Sequence, residues 1–182
     1  MKFFINFLTI SRILLGPIIF ILILYWEAFM ASLLLFLFAS ISDYFDGALA
    51  RKYDLSSSLG EVLDPIADKI LIVFVLFGLA VNLNSYLIAF IGALIIAREI
   101  WVGALRDLNA RNNRSNATKV TLLAKIKTTM QLFTISIYLL GLTLNNMLVL
   151  VIGDILLFIS LFITLYTGLI YTLGSFKANK DN

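Results

Sequence analysis

Apolar residues fall along this chain in six long runs, Ile10–Tyr25, Met30–Ala50, Ile66–Val81, Tyr86–Leu105, Val120–Leu144 and Met147–Leu173. Most approach the ~20 residues that a helix needs to cross a bilayer, and the first and third reach that length only if their flanks join them. The breaks at 26–29, 82–85 and 145–146 are short enough to make neighbouring helices antiparallel members of one bundle. No stretch shows the short alternating strands of a membrane barrel. The pattern predicts an all-α integral membrane protein, a bundle of six transmembrane helices. With no long linker and no internal repeat, residues 1–182 read as a single domain. Lys2 followed by an apolar run has the look of a signal peptide. The run continues past Arg12 to Tyr25 without a small-residue cleavage site before a soluble domain, so it is read as retained.

The charged positions orient this bundle. The three short breaks contain no Lys or Arg. Every basic residue lies at the other ends of the runs: Lys2 and Arg12, then Arg51, Lys52 and Lys69, then Arg98 through Lys127, then Lys177 and Lys180. Basic residues favour the cytoplasmic side, which predicts that both termini and the two longer loops are cytoplasmic. Arg111, Arg114 and Lys119 then suit anionic lipid headgroups.

Composition narrows the chemistry. Of 182 residues, 61% are hydrophobic and only 14% charged, where a soluble domain carries about 25% charged residues. Mean hydropathy is +1.00. A net charge of +3 is too small to argue for a nucleic-acid partner. There is no cysteine, which excludes disulfide and thiol chemistry, and no histidine, which removes the commonest general base and zinc ligand. Acid–base or metal chemistry must therefore rest on Asp and Glu, whose oxygens favour hard cations such as Mg²⁺, Mn²⁺ or Ca²⁺.

The stretch from Ser42 to Lys69, SDYFDGALARKYDLSSSLGEVLDPIADK, concentrates those carboxylates. Asp43 and Asp46 are three apart and Asp64 and Asp68 four apart, so each pair shares a helix face. If the second and third helices form a hairpin through Tyr53–Ser58, the pairs can face each other. Two like charges ~4 Å apart cost about 4 kcal/mol at an effective dielectric of 20, so four carboxylates need protons or cations between them. Two divalent cations balance the charge, and a two-metal site is a known arrangement for phosphoryl displacement. Asp54 and Glu61 read as solvated loop residues. Asp154, in the last run, reads as structural or interfacial.

From Asp43 to Asp68 the chain reads D-x2-D-G-x2-A-R-x8-G-x3-D-x3-D. This resembles the signature of the CDP-alcohol phosphatidyltransferase family at every defined position. Asn6-x2-Thr9-x2-Arg12, Ala97-Arg98-Glu99 and Lys125-x-Lys127-Thr128-x2-Gln131 are similar to segments of the branch whose acceptor is glycerol 3-phosphate. The chain departs from that branch at Ala124, usually Gly, and lacks a proline near Asn6. The resemblance implies attack of an alcohol on the β-phosphorus of CDP-diacylglycerol, with CMP leaving. For that branch the alcohol is sn-glycerol 3-phosphate and the product phosphatidylglycerophosphate. It also implies a bacterial inner membrane, with the aspartates on the cytoplasmic side to which the basic residues point, and members of the family are commonly homodimers.

In the family, Asp43, Asp46 and Asp64 would hold two Mg²⁺ or Mn²⁺ ions, and Asp68 would complete the metal site and act as general base. Gly47, Ala50, Arg51 and Gly60 would line the CDP-lipid site, with Arg51 on the diphosphate. Asn6 and Thr9, one stripe with Arg12, are assigned to the nucleotide; a snorkelling cytoplasmic face is the alternative. Arg98, Arg106, Lys125 and Lys127 are candidates for the acceptor phosphate. Against that stand an ion pair of Arg98 with Glu99 or another acid, and plain interfacial anchoring by the two lysines. Ala89, Ala93 and Ala97 form a small-residue ladder suited to a homodimer or to packing within the chain. The rivals are a family member with another acceptor, of cardiolipin synthase or phosphatidylinositol-phosphate synthase type, a membrane prenyltransferase, and a cation channel or transporter.

Overall fold

In a computed structural model the backbone is described for residues 2–53, 58–112 and 122–180, and side chains for residues 9–42, 63–64, 66–112 and 122–177. These residues form six helices: α1 (Lys2–Leu24), α2 (Phe29–Tyr53), α3 (Ser58–Asn82), α4 (Tyr86–Arg111), α5 (Leu122–Thr143) and α6 (Met147–Lys180). Most of the helices outrun their apolar segments, chiefly at the end that carries the basic residues. The first and third segments gain their flanks in this way and become helices of 23 and 25 residues, about 35 Å at 1.5 Å per residue. Among the described residues α4 and the 147–177 portion of α6 are long and apolar enough on their own to cross a membrane. α1 and α2 contribute shorter apolar stretches, Thr9–Leu24 and Phe29–Ser42.

Two of the short links share one design. Asn84 and Asn145 adopt left-handed backbone conformations, with φ of 47° each. The Ser85 amide donates to the Ala80 carbonyl and the Asn146 amide to that of Gly141, closing the preceding helix in a Schellman turn. The same residues then open the next helix. The Ser85 hydroxyl accepts from the Ile88 amide at 3.3 Å, and Asn146 Oδ1 from the Leu148 amide at 2.9 Å. Asparagine tolerates the left-handed region and caps helices, so a chain reversal needs only three residues.

The helices close into a ring in the order α1, α3, α4, α6, α5, α2, with α3 also touching α5 across the middle. Ile19, Phe36, Leu71, Val75, Leu79, Ile91, Ile135 and Leu139 fill the centre. Gly153 sets the α5–α6 spacing, since a Cβ there would meet the Tyr138 ring at 2.9 Å. Next to it the Tyr138 hydroxyl donates to Asp154 Oδ1 at 2.6 Å, which gives Asp154 a structural partner inside the bundle. The outer surface is apolar, with Leu14, Phe38, Phe90, Ile100, Phe133 and Phe162 all exposed. Buried polar groups lie inside: Thr9, Arg12, Arg98, Lys127, Gln131, Thr164 and Thr167. Apolar outside and polar inside is the distribution expected where lipid is the solvent. Ala93 and Ala97 are exposed, so among the described residues that end of the small-residue ladder faces outward.

Candidate active site

The helix carrying Asp43 and Asp46 and the helix carrying Asp64 and Asp68 end and begin, respectively, around residues 54–57, so all four positions lie towards that end of the bundle. The side chains of Asn6, Asp43, Asp46, Gly47, Ala50, Arg51 and Gly60 lie outside the described residues, as do Asp54, Arg114 and Lys119. Asp64 and Asp68 are described, and they face α1. Arg12, 1% exposed, donates from Nη1 to Asp68 Oδ1 at 2.6 Å and from Nη2 to Asp64 Oδ1 at 3.3 Å. The Thr9 hydroxyl donates to Asp64 Oδ1 at 2.7 Å. Thr9 and Arg12 are three apart and share a face, so the polar stripe of α1 meets the carboxylate stripe of α3.

Thr9, expected at the nucleotide, thus touches a predicted metal ligand. Arg12, expected only as part of the same stripe, bridges two predicted ligands. Its guanidinium removes one unit of negative charge from the acidic cluster and fixes the direction of both carboxylates. Arg12→Met is expected to lower stability by about 1–3 kcal/mol, the usual worth of hydrogen bonds to charged groups, because both acids are part-exposed and can rehydrate. Thermal unfolding in detergent checks this. An unchanged midpoint would show that the bridge contributes nothing.

Among the described residues no three acidic side chains come together. The donor set nevertheless suits a hard divalent cation. Every contact of the Asp64 carboxylate within the described residues falls on Oδ1, which leaves Oδ2 for a metal, and the side chains of Asp64 and Asp68 are 43% and 37% exposed. Carboxylate oxygens open to water fit Mg²⁺ or Mn²⁺.

A second cluster joins α4, α5 and α6. Arg98, in the apolar run of α4, donates from Nη1 to Glu99 Oε1 at 2.8 Å, from Nε to the Thr164 carbonyl at 3.0 Å and from Nη2 to Thr167 Oγ1 at 2.8 Å. Lys127 pairs with the same Glu99 oxygen. Gln131, one turn on, donates to Thr164 Oγ1 at 3.2 Å. Gly168 makes room for Arg98, since a Cβ there would lie 3.0 Å from Arg98 Cγ. Arg106 stacks its guanidinium 5.1 Å from the Tyr171 ring centre. Of the four predicted phosphate ligands, Arg98, Arg106 and Lys127 converge. Lys125 is exposed, and lying two residues from Lys127 it points to a different side of α5. The expected ion pair of Arg98 with Glu99 is present, and it includes Lys127.

The two clusters adjoin. A small pocket between α2, α3 and α5 is lined by Ser40, Asp68, Leu71, Thr128 and Leu132, with Thr128 next to Lys127. On the other side Lys69, the neighbour of Asp68, brings Nζ to 3.7 Å from where a Gly103 Cβ would lie. Gly103 stands between Glu99 and Arg106 on α4. A half-exposed acidic site beside a part-buried basic one suits a substrate with a phosphate at one end and a reacting group a few bonds away.

The model of one family, CDP-alcohol phosphatidyltransferase, matches residues 4–166. The chain belongs to the CDP-alcohol phosphatidyltransferase family. It is 43% identical over 179 residues to a CDP-diacylglycerol–glycerol-3-phosphate 3-phosphatidyltransferase of Rickettsia felis, covering 96% of this chain and 94% of the relative. A protein of the same name from Shigella flexneri is 35% identical over 168 residues, covering 90% of each. One from Escherichia coli is 36% identical over 129 residues, covering 69% of this chain and 70% of the relative.

None of the site residues expected from the sequence lies on α6, which supplies the carbonyl, hydroxyl and ring that hold Arg98 and Arg106. A signal was present. Ser160, Thr164, Thr167, Tyr171 and Ser175 recur at spacings of four, three, four and four, one face of a helix, and all are buried.

Proposed function

We propose that this chain transfers the phosphatidyl group of CDP-diacylglycerol to sn-glycerol 3-phosphate, releasing CMP and forming phosphatidylglycerophosphate. The observation that carries this reading is the likeness to relatives of that name over nearly the whole chain. The adjoining acidic and basic clusters support it, because the acceptor needs a base near its hydroxyl and cations at its phosphate.

In this reading Asp68 takes the proton from the acceptor hydroxyl, whose own acidity is too weak for attack at neutral pH. The hydroxyl oxygen forms a bond to the β-phosphorus of the CDP-lipid, and the bond to the bridging oxygen breaks so that CMP departs with the electron pair. Asp43, Asp46, Asp64 and Asp68 would hold two Mg²⁺ or Mn²⁺ ions, which supply charge neutralisation on the diphosphate. Arg12 and Thr9 keep the α3 carboxylates in register. Arg51 binds the diphosphate as a planar fork, while Asn6, Gly47, Ala50 and Gly60 shape the nucleotide pocket. Arg106 and Lys127 hold the acceptor phosphate, with Lys125 drawing anions from the surface. All six helices span a bacterial inner membrane with both termini and the site on the cytoplasmic side. There a lipid substrate arrives laterally and a polar one from water.

The test is a panel of acceptors offered to purified protein with CDP-diacylglycerol and Mg²⁺ or Mn²⁺. Glycerol 3-phosphate should give phosphatidylglycerophosphate and stoichiometric CMP. An inositol phosphate and phosphatidylglycerol should give none, and chelation should stop the reaction. Product from another alcohol with none from glycerol 3-phosphate rejects the acceptor assignment.

A further inference from the structure

The basic cluster contains two arginines in different states. Arg98 spends three of its five N–H donors on Glu99, the Thr164 carbonyl and Thr167. It is 8% exposed and lies against α6 across the gap that Gly168 leaves. Arg106, two turns further along α4, has no hydrogen-bond or carboxylate partner among the described residues, and its Nε is buried and unsatisfied. Its guanidinium lies over the face of Tyr171, 5.1 Å from the ring centre. The same ring, 2% exposed, also stands 5.8 Å from the Arg98 guanidinium. A buried donor without a partner is costly, and a cation held by a π face alone keeps its hydrogen-bonding capacity for an incoming anion.

We propose that Tyr171 is a positioning residue of the acceptor site: its ring aims the uncommitted Arg106 guanidinium at the acceptor phosphate. Arg98, tied to α6, fixes where that ring stands instead of meeting the phosphate itself. This deepens the reading above and rests on it. Tyr171 hangs on the one buried stripe of α6 that also carries Thr164, Thr167 and Ser175. Ser175 pairs with Asn109 at 3.0 Å, one turn beyond Arg106, so the stripe is pinned to α4 on both sides of the ring.

Steady-state kinetics of the full-length protein in detergent or lipid discs tests the proposal, with inorganic phosphate as a competing probe. Tyr171→Leu should raise KM for glycerol 3-phosphate and the inhibition constant of phosphate by about 5–30-fold. Its kcat should stay within about twofold of the parent and KM for CDP-diacylglycerol should not move. Tyr171→Phe, which keeps the π face, should behave as the parent. Tyr171→Met stands in if the leucine variant does not assemble. In a background of Arg106→Gln, which should raise the same two constants, loss of the ring should add nothing further. Unchanged constants in Tyr171→Leu, a Phe variant as impaired as the Leu variant, an additive second loss, or a loss shared equally by kcat and both KM values would each overturn it. If the parent protein uses another phosphorylated alcohol, the glycerol 3-phosphate assignment fails alone. Tyr171 is then judged on that alcohol and on phosphate inhibition.

Discussion

Asp68→Asn should leave a folded protein that still binds CDP-diacylglycerol but turns over about 10²–10⁴-fold more slowly, the usual loss when a positioned general base is removed. The amide keeps the size of the carboxylate and one oxygen, so Arg12 Nη1, 2.6 Å from Oδ1, retains an acceptor. What disappears is the ability to take a proton, and the chain has no histidine to replace it. CMP release measures turnover, and a bound fluorescent CDP-lipid measures the retained affinity. Normal turnover would remove Asp68 as the base. Equal loss of lipid binding and turnover would assign it to metal holding alone.

The second large effect is expected at Glu99, where one carboxylate oxygen serves both Arg98 and Lys127. Glu99→Gln strands two buried cations against each other. Breaking a buried pair by removing one partner costs about 3–5 kcal/mol, far more than the pair is worth against an apolar replacement. The thermal midpoint in detergent should fall accordingly. Two further results separate this cause from general damage. Inorganic phosphate should restore part of the stability by supplying the missing anion, and Glu99→Gln combined with Lys127→Met should be more stable than Glu99→Gln alone. A double variant weaker than either single one would show that packing, not charge, is at stake.

Much of the site was visible before folding, though unevenly. Asp64 and Asp68 stand out because an ionisable group in an apolar chain is costly, and their spacing of four places both on one face. Arg12 did not stand out as their partner. A cation near the start of a membrane helix has an ordinary explanation as an anchor, and nothing in one dimension says which neighbour it faces. Lys125 and Lys127 looked equivalent in sequence, but two residues along a helix is a turn of about 200°, so one faces the surface and the other Glu99. The Thr164, Thr167 and Tyr171 stripe was hidden for another reason. Hydroxyls within a hydrophobic helix can satisfy themselves on the preceding turn, as Thr167 does on the Ile163 carbonyl, so they signal no partner.

The sequence by itself determined the six helices, their ends at the three short links and the end of the bundle at which the basic residues collect, but not the opposite ends, where α1 begins at Lys2 and α3 at Ser58, eight residues before their apolar runs. Those properties follow from local hydropathy, from Asn at two tight reversals and from the placement of Lys and Arg. It also confined any acid–base or metal chemistry to carboxylates, since there is no histidine or cysteine, while the diphosphate substrate followed only from the resemblance of Asp43–Asp68 to the family signature. Only the tertiary structure decided that α1 lies against α3, so that Arg12 meets Asp64 and Asp68, and that α6 lies against α4, so that Arg98 bonds to Thr164 and Thr167 whereas Arg106 has no hydrogen-bond partner among the described residues. The reason is geometric. Periodicity tells which residues share a face, whereas the partner of that face depends on the order of helices around the ring and on the rotation of each, which are set by contacts between residues more than fifty positions apart.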